Sequence, residues 1–366
     1  MTVITSSLGS AATADFCTDA AAQLLAGRYI VPLALGSVAV LGLWRVVHFI
    51  RADADLGLLA THRLPRDAFK EKTVWVTGAS QGLGEELALV FAAHGARLIL
   101  TARNTERLQA VQARCRDVAQ DARIEVQTLD LTAPYAELQA AAALADGAFG
   151  GIDYLVHNAG ASQHAAVEET APEVADRLLE LNAAGPIHLT RACLPFMISR
   201  GRGRIVAVSS MAAVVPAAGQ ALYSASKAAL NAYLATLQTE LCARGIGVTI
   251  ACPGPVATGS EAAPRNVFSS TGLVKKHEQR GGSGKRLAPR RVAELIARAA
   301  YHRIDVCWIA RNPVLLIGYL VQYWPALGLW ILKKVGPMRA AQLKGGGSGY
   351  DLKAMLFGGG MAAKVE

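Results

Sequence analysis

Ser210, Tyr223 and Lys227 together could move a proton and polarise an oxygen. Tyr223 and Lys227 stand four apart in YSASK, so a helix through that segment presents both on one face. A tyrosine with its ordinary pKa of about 10 is a poor acid or base at neutral pH. An ammonium one helical turn away favours the phenolate and draws that pKa towards the working range. Ser210 closes an apolar run rich in β-branched residues, where its hydroxyl would hydrogen-bond a substrate oxygen. Tyrosine and lysine at this spacing also occur by chance as a plain surface or core pair, so the trio has to be weighed with its surroundings.

The surroundings include a glycine turn. TVWVT runs into TGASQGLG, Thr77 to Gly84, and a helical stretch follows at once. Glycines let the backbone turn sharply and approach a diphosphate, which then rests on the free N–H groups of the helix start. A tight turn without a ligand would look the same taken alone; the position between strand and helix is what gives it weight. The next β-branched run ends in TARN. An acid here would bind the ribose 2′-hydroxyl of NAD, whereas an arginine suits a 2′-phosphate. Arg103 occupies the place and no acid precedes Glu106, which favours NADP(H).

Positioning these groups requires a sheet. Strands are predicted over 73–77, 97–101, 124–128, 153–157, 204–209, 247–251 and 305–310, with helices near 83–95, 104–118, 134–148, 173–200, 220–244 and 289–303. Apolar strands alternating with crossover helices give an α/β fold, a Rossmann-type, doubly wound, seven-stranded parallel sheet covered on both faces. No internal repeat is evident. The polar, glycine-rich stretch from Gly259 to Pro289 is long for a connection in a compact fold and is expected to be a functional flap.

The 366 residues are 52% hydrophobic, which excludes a disordered chain. The net charge of +9 would suit anionic lipid, an anionic cofactor or nucleic acid. No basic run with interleaved aromatics appears, so nucleic acid is set aside. Cys17, Cys115, Cys193, Cys242, Cys252 and Cys307 are scattered, read as buried thiols, and form neither a disulfide framework nor a metal site. Residues 1–28 are expected to be disordered. Tyr29 to Ile50, uncharged as far as Trp44, is long enough to span a bilayer core of roughly 30 Å and is read as a transmembrane anchor. A cleaved signal peptide is the alternative, but no small-x-small site with a polar flank follows it. Residues 51–70 are then a linker, 71–312 the Rossmann domain, and 313–366 an extension. Within that extension Pro313–Leu332 is broken by Pro325 and Gly328, so it is read as a hydrophobic cap beside the pocket or on the bilayer and not as a second span. KGGGSGY after it looks like a flexible linker.

Taken together these motifs resemble the short-chain dehydrogenase/reductases. That family carries T-G-x-x-x-G-x-G, then N-A-G, a helix Asn, a Ser thirteen residues before Y-x-x-x-K, and P-G. Here they read Thr77–Gly84, Asn158-Ala159-Gly160, Asn182, Ser210, Tyr223/Lys227 and Pro253-Gly254, in order and with the family's spacing. FIRADADLGLL, GEELA, PGPV and NPVLLIGYLVQYWP extend the resemblance to an endoplasmic-reticulum branch of that family near the 11β-hydroxysteroid dehydrogenases.

The resemblance implies Tyr223 as acid/base, Lys227 lowering its pKa and holding the ribose, and Ser210 binding the carbonyl. Asn182 would hold a water that links Lys227 to solvent. Gly78, Ser80, Gln81, Gly82, Leu83 and Gly84 would hold the cofactor from the turn. Asp130 would contact the adenine, Asn158 and Gly160 would support the cofactor from the strand end, and Pro253, Gly254, Val256 and Thr258 would enclose the nicotinamide, with Thr258 on its carboxamide. Two departures stand out. His157 replaces the first Asn of N-N-A-G, a change of packing, and Gln81 replaces a basic residue often found inside the turn, leaving Arg103 as the main 2′-phosphate ligand.

The implied activity is interconversion of a carbonyl and an alcohol on an apolar steroid, retinoid or other lipid drawn from the membrane, by an enzyme of the endoplasmic reticulum. A ketoreductase acting on long-chain bases and a non-catalytic NADP-binding membrane scaffold are the rival readings, and a homodimer is left open. Arg45, Arg51, Arg63, Arg66, Lys70 and Lys72 follow the apolar segment, against Arg28 before it, which places the catalytic domain in the cytosol. The unpaired cysteines agree with a reducing compartment, while the 11β-hydroxysteroid branch includes lumenal enzymes.

Overall fold

The computed structural model describes residues 37, 40–258, 265–276 and 286–344. They fall into two units, Met1–Ala52 and Asp53–Glu366. In the first, residues 40–51 form helix α1, whose Leu41, Leu43, Trp44 and Ile50 are exposed. No helix among the described residues is long and apolar enough to cross a membrane. Of the predicted anchor only residue 37 and residues from 40 onward are described; the disorder predicted for 1–28 lies outside the described residues, as does the tail from 345.

The second unit is built on a seven-stranded parallel sheet in the order β10-β7-β6-β4-β1-β2-β3. Its strands are β1 (Thr73–Thr77), β2 (Arg97–Ala102), β3 (Ile124–Thr128), β4 (Tyr154–His157), β6 (Gly203–Val208), β7 (Ile246–Pro253) and β10 (Val306–Ile309). Every residue of β1 is buried, which is why TVWVT reads as a continuous apolar run: helices cover both faces of the sheet, so neither side of the strand meets water. Trp75 still satisfies its indole N–H, donating to Thr101 Oγ1 at 2.6 Å. The strand order reverses between β1 and β4, and an open parallel sheet leaves a crevice outside the strand ends at such a point.

The covering helices are α3 (Gly82–Ala93), α4 (Thr105–Val118), α5 (Tyr135–Ala148), α6 (Pro172–Leu179), α7 (Gly185–Ser199), α8 (Ala221–Leu241) and α9 (Pro289–Tyr301). In α9, Pro289 starts the helix and Val292, Leu295, Ile296 and Ala299 bury one stripe at helical spacing. The single helix predicted over 173–200 is divided. A π turn, Glu180–Ala184, lies between α6 and α7, and Gly185 N–H donates to the Glu180 carbonyl across it.

Four expectations need correction. The segment 51–70 is not a linker: from Asp53 onward it is bonded into the second unit. Asp53 forms a bidentate pair with Arg291 at 2.8 and 3.2 Å. Asp55 caps α2 (Leu56–Ala60) and also accepts from Trp308 N–H at 2.5 Å, extending the sheet edge. Phe69 is fully buried, edge-on to Phe91, Tyr154 and Tyr301. The polarity that suggested a linker belongs to caps and ion pairs. Secondly, the stretch 259–289 is not simply a loop. It holds a hairpin of β8 (Arg265–Phe268) and β9 (Leu273–Lys276), which pairs with β5 (Ser162–Gln163) in a small second sheet; 259–264 and 277–285 lie outside the described residues. Phe268 buries against Ala161, Val174 and Leu178, which a reading of local polarity could not anticipate. Thirdly, Cys242 is exposed, whereas Cys115, Cys193, Cys252 and Cys307 are buried. Fourthly, the C-terminal extension is more than an apolar cap over 313–332. Helices α10 (Val314–Tyr323) and α11 (Pro325–Lys344) meet at Trp324, where the helix is interrupted before Pro325. Gly328 lets α11 approach the α10 backbone, since a Cβ there would lie 2.9 Å from Val321 Cα.

Candidate active site

The C-terminal ends of the central strands open into a cavity of about 1150 Å³. At one end lies the glycine turn between β1 and α3, contributing Gly78, Ser80, Gln81, Gly82, Leu83 and Gly84 to the wall. Gly78 has φ +65°, and a Cβ there would come within 2.7 Å of Ala159 Cα. A Cβ on Gly84 would collide with the Gly78 carbonyl and the Asn158 amide. Asn158 fastens the turn to the end of β4: its Nδ2 donates to the carbonyls of Thr77 and Gly78, both at 3.1 Å. Gln81 begins α3 with no side-chain cap, so the first N–H groups of that helix stay available to an anion. A diphosphate fits this cradle by chemistry and by space.

Arg103 and Asp130 sit beside the turn, 3.7 Å apart as a partly exposed ion pair. The other Asp130 oxygen accepts from the N–H and Oγ1 of Thr132, which fixes its carboxylate at the cavity wall. A further cation was not foreseen. Arg107, from the first turn of α4, donates to Gln81 Oε1 at 2.5 Å and lines the same wall. Gln81, which lacks the charge expected in the turn, holds an arginine from elsewhere in the chain instead. Asn104 helps to aim it by accepting from the Arg107 N–H and so capping α4.

At the other end stand Ser210, Tyr223 and Lys227. Ser210 follows β6 and accepts from Ala212 N–H at 3.1 Å, which leaves its own O–H free to donate into the cavity it lines. Tyr223 and Lys227 enter from the first turns of α8. Lys227 is buried, and its Nζ donates to the Val208 carbonyl at 2.9 Å. Burial lowers its pKa from 10.5 to about 8, partly offset by the nearby Cys252 thiol. Gly160 leaves the space in front of it, since a Cβ there would lie 3.4 Å from the amine and 2.8 Å from Asn182 Oδ1.

Asn182 does not line the cavity but is buried behind it, on the π turn. Its amide donates to the Ala161 carbonyl and Ser226 Oγ, and its Oδ1 accepts from Ala161 N–H. One Oδ1 lone pair is left on the side of Gly160 and Lys227. His157, at the end of β4, is buried and neutral: desolvation, aided by the Lys227 charge, pushes its pKa down to about 3. It pairs with Thr190 Oγ1 at 2.7 Å, so the substitution is absorbed by packing against α7. Pro253, Gly254, Val256 and Thr258 line the wall after β7, with Thr258 across the glycine turn from Gly82.

The pattern of the family described as short chain dehydrogenase matches residues 72–266. The chain is 35% identical over 322 residues to human dehydrogenase/reductase SDR family member 7, covering 86% of this chain and 92% of that one. This chain belongs to the short-chain dehydrogenase/reductases. A Drosophila melanogaster relative, dehydrogenase/reductase SDR family protein 7-like, is 32% identical over 281 residues, 74% of this chain and 82% of its own. Among solved structures, a short-chain dehydrogenase from Streptomyces avermitilis aligns with a TM-score of 0.60 at 31% identity, over 73% of this chain and 98% of its own. A metagenomic short-chain oxidoreductase in complex with NADP aligns with a TM-score of 0.52 at 30% identity, over 64% and 92%.

One positioning group of this short-chain dehydrogenase/reductase escaped sequence reading altogether. Gln163, fully buried on β5, accepts through Oε1 from the N–H groups of Leu222 and Tyr223 at 3.0 and 3.3 Å. It caps α8, whose own N-cap residue Gln220 makes no side-chain cap. No local motif marks it, because donor and acceptor are far apart in the chain.

The lowered amine pKa has a consequence for stability. Between pH 8 and 10.5 the unfolded lysine binds a proton that the folded one has released. Stability therefore rises with pH across that window, by up to about 3 kcal/mol from this group. In urea unfolding of the cofactor-free protein, wild type should gain on Lys227→Met by about that much from pH 8 to 10.5. A difference that stays flat with pH would mean the amine is solvated.

Proposed function

We propose that the protein is an NADP(H)-dependent oxidoreductase interconverting a carbonyl and an alcohol on an apolar lipid substrate such as a steroid or retinoid. The observation that carries the chemistry is the buried Lys227 one helical turn from Tyr223, with Ser210 on the same cavity. A nicotinamide cofactor held by the glycine turn supplies the hydride. Ser210 and Tyr223 direct hydroxyls at the substrate oxygen and polarise it. Tyr223 gives that oxygen its proton, and the Lys227 ammonium stabilises the phenolate left behind. Lys227 then passes a proton to that phenolate, and a water held by the remaining lone pair of Asn182 returns one from solvent to Lys227. The reading of an apolar substrate rests on Val314, Ile317, Leu329, Leu332 and Val335, which line the side of the cavity formed by α10 and α11.

Tyr223→Phe should lower turnover about 10²-fold or more while NADPH binding persists, because the cradle is untouched. Near-normal turnover in the variant, assayed against a panel of lipid carbonyls by NADPH absorbance, would remove the acid/base assignment. No turnover by wild type on any of them would favour a binding scaffold.

The preference for NADP rests on two arginines. Arg103 lies at the end of β2, Arg107 bonds Gln81, and no acid occupies the strand end. The metagenomic relative solved with NADP supports the same choice. Replacing either arginine with Ala should raise KM for NADPH about tenfold, with little effect on KM for NADH. Equal effects on both cofactors would contradict the assignment.

The apolar segment from Tyr29 anchors this enzyme in the endoplasmic reticulum membrane, with the basic flank and the catalytic unit on the cytosolic side. Protease added to sealed microsomes should then digest the catalytic unit; survival until detergent is added would place it in the lumen.

A further inference from the structure

The C-terminal helices present a face that the proposed chemistry does not use. Leu316 and Tyr323 of α10, Trp324 at the break, and Leu327, Leu329 and Trp330 of α11 are all exposed. Three of them are large aromatics, at 72% for Tyr323, 66% for Trp324 and 54% for Trp330. Isolated exposed hydrophobics are ordinary on a folded protein, but a group on two packed helices is not. The break at Trp324 and the close approach of Gly328 to Val321 pack the two helices against each other.

The charges around that surface decide what it meets. From Val306 to Lys344 the sequence has no Asp or Glu, while Arg311, Lys333, Lys334, Arg339 and Lys344 fall within it. Lys333 and Lys334 are exposed on α11, and the Lys334 ammonium lies 3.8 Å from the centre of the Trp330 ring. A tryptophan with its body in apolar surroundings and a lysine reaching over it to the headgroups is the side-chain pairing a bilayer interface favours. A second copy of the chain is a poorer match. A two-fold contact through this face would set lysines against lysines with no carboxylate to answer them.

The side of α11 next to that face borders the cavity. Leu329 and Lys333 are both exposed and part of its wall, and Leu332 and Val335 continue the wall inward. We propose that the exposed face of α10 and α11 docks on an anionic lipid bilayer, placing the rim of the substrate cavity at the membrane surface. An apolar substrate then passes from lipid to cavity without crossing water. This docking deepens the proposed function by naming where its substrate enters, yet it can be tested without any turnover.

The test uses the full chain in vesicles of phosphatidylcholine and phosphatidylserine with brominated acyl chains. Because Trp44, Trp75 and Trp308 also emit, the signal is the emission of wild type minus that of the double variant Trp324→Phe/Trp330→Phe. The difference emission should be strongly quenched by the brominated lipid, and protected from aqueous acrylamide only when vesicles are present. Lys333→Glu/Lys334→Glu should weaken the lipid quenching several-fold in anionic vesicles, more than in phosphatidylcholine alone. Difference emission that ignores brominated lipid and stays open to acrylamide would overturn the proposal, leaving any attachment to the N-terminal segment. Protection from acrylamide before vesicles are added would also overturn it, since the face would then be covered by this chain or a second copy. Both readouts hold for a catalytically inactive protein, so failure of the proposed reaction and failure of docking remain distinct.

Discussion

A primary ammonium kept out of water is the constraint around which this site is organised. Desolvating a charge is costly, and a buried lysine survives only where polar groups meet it or where its pKa falls. Lys227 does both: it donates to the Val208 carbonyl, and its pKa drops to about 8. Much of the nearby structure follows from accommodating it. The π turn carries Asn182 into the wall behind, where a side chain on Gly160 would crowd its Oδ1 at 2.8 Å. The histidine one residue before Asn158 stays neutral, in part because a second positive charge so close would be repelled. A group expensive to bury is well suited to stabilise a phenolate next to it, since its field is little screened by solvent.

The two ends of the cavity answer to different physics. At the glycine turn the fit is steric and dipolar: backbone approaches that a single Cβ would block, and uncapped N–H groups at the start of α3. Asn158 ties that turn to β4 and so fixes it relative to the residues that follow, Ala159 and Gly160, which run on towards the lysine. One short segment thus sets the distance between the glycine turn and Lys227.

A second, smaller sheet braces the start of α8. β5, β8 and β9 form that sheet, its Gln163 caps α8, and Arg339 from α11 donates to Gln220, which donates in turn to Ser162. The position of Tyr223 is therefore held partly by elements added outside the Rossmann core. Helices α10 and α11, which also line the cavity, thus reach the start of α8 through the part-buried bonds of Arg339 to Gln220 and of Gln220 to Ser162.

Local physics made much of this legible from residues alone. Continuous apolar runs such as TVWVT specify doubly covered parallel strands, a glycine turn between strand and helix specifies a phosphate cradle, and a four-residue spacing sets Tyr223 and Lys227 on one helix face. Each is a property of a short segment, so its signal survives without knowledge of the rest. Other features existed only once distant segments met. Arg107 joins the wall beside the glycine turn because α4 passes Gln81; Gln163 caps a helix far along the chain; Asp55 caps α2 while completing the edge at Trp308. The hairpin at Arg265–Lys276 was hidden because its polar, glycine-rich stretch acquires a partner only in β5, and the exposed face of α10 and α11 because apolar residues read alike whether they bury or not. Periodicity and spacing report what a segment is able to do; which groups face one another, and which are left facing out, is settled by long-range packing alone.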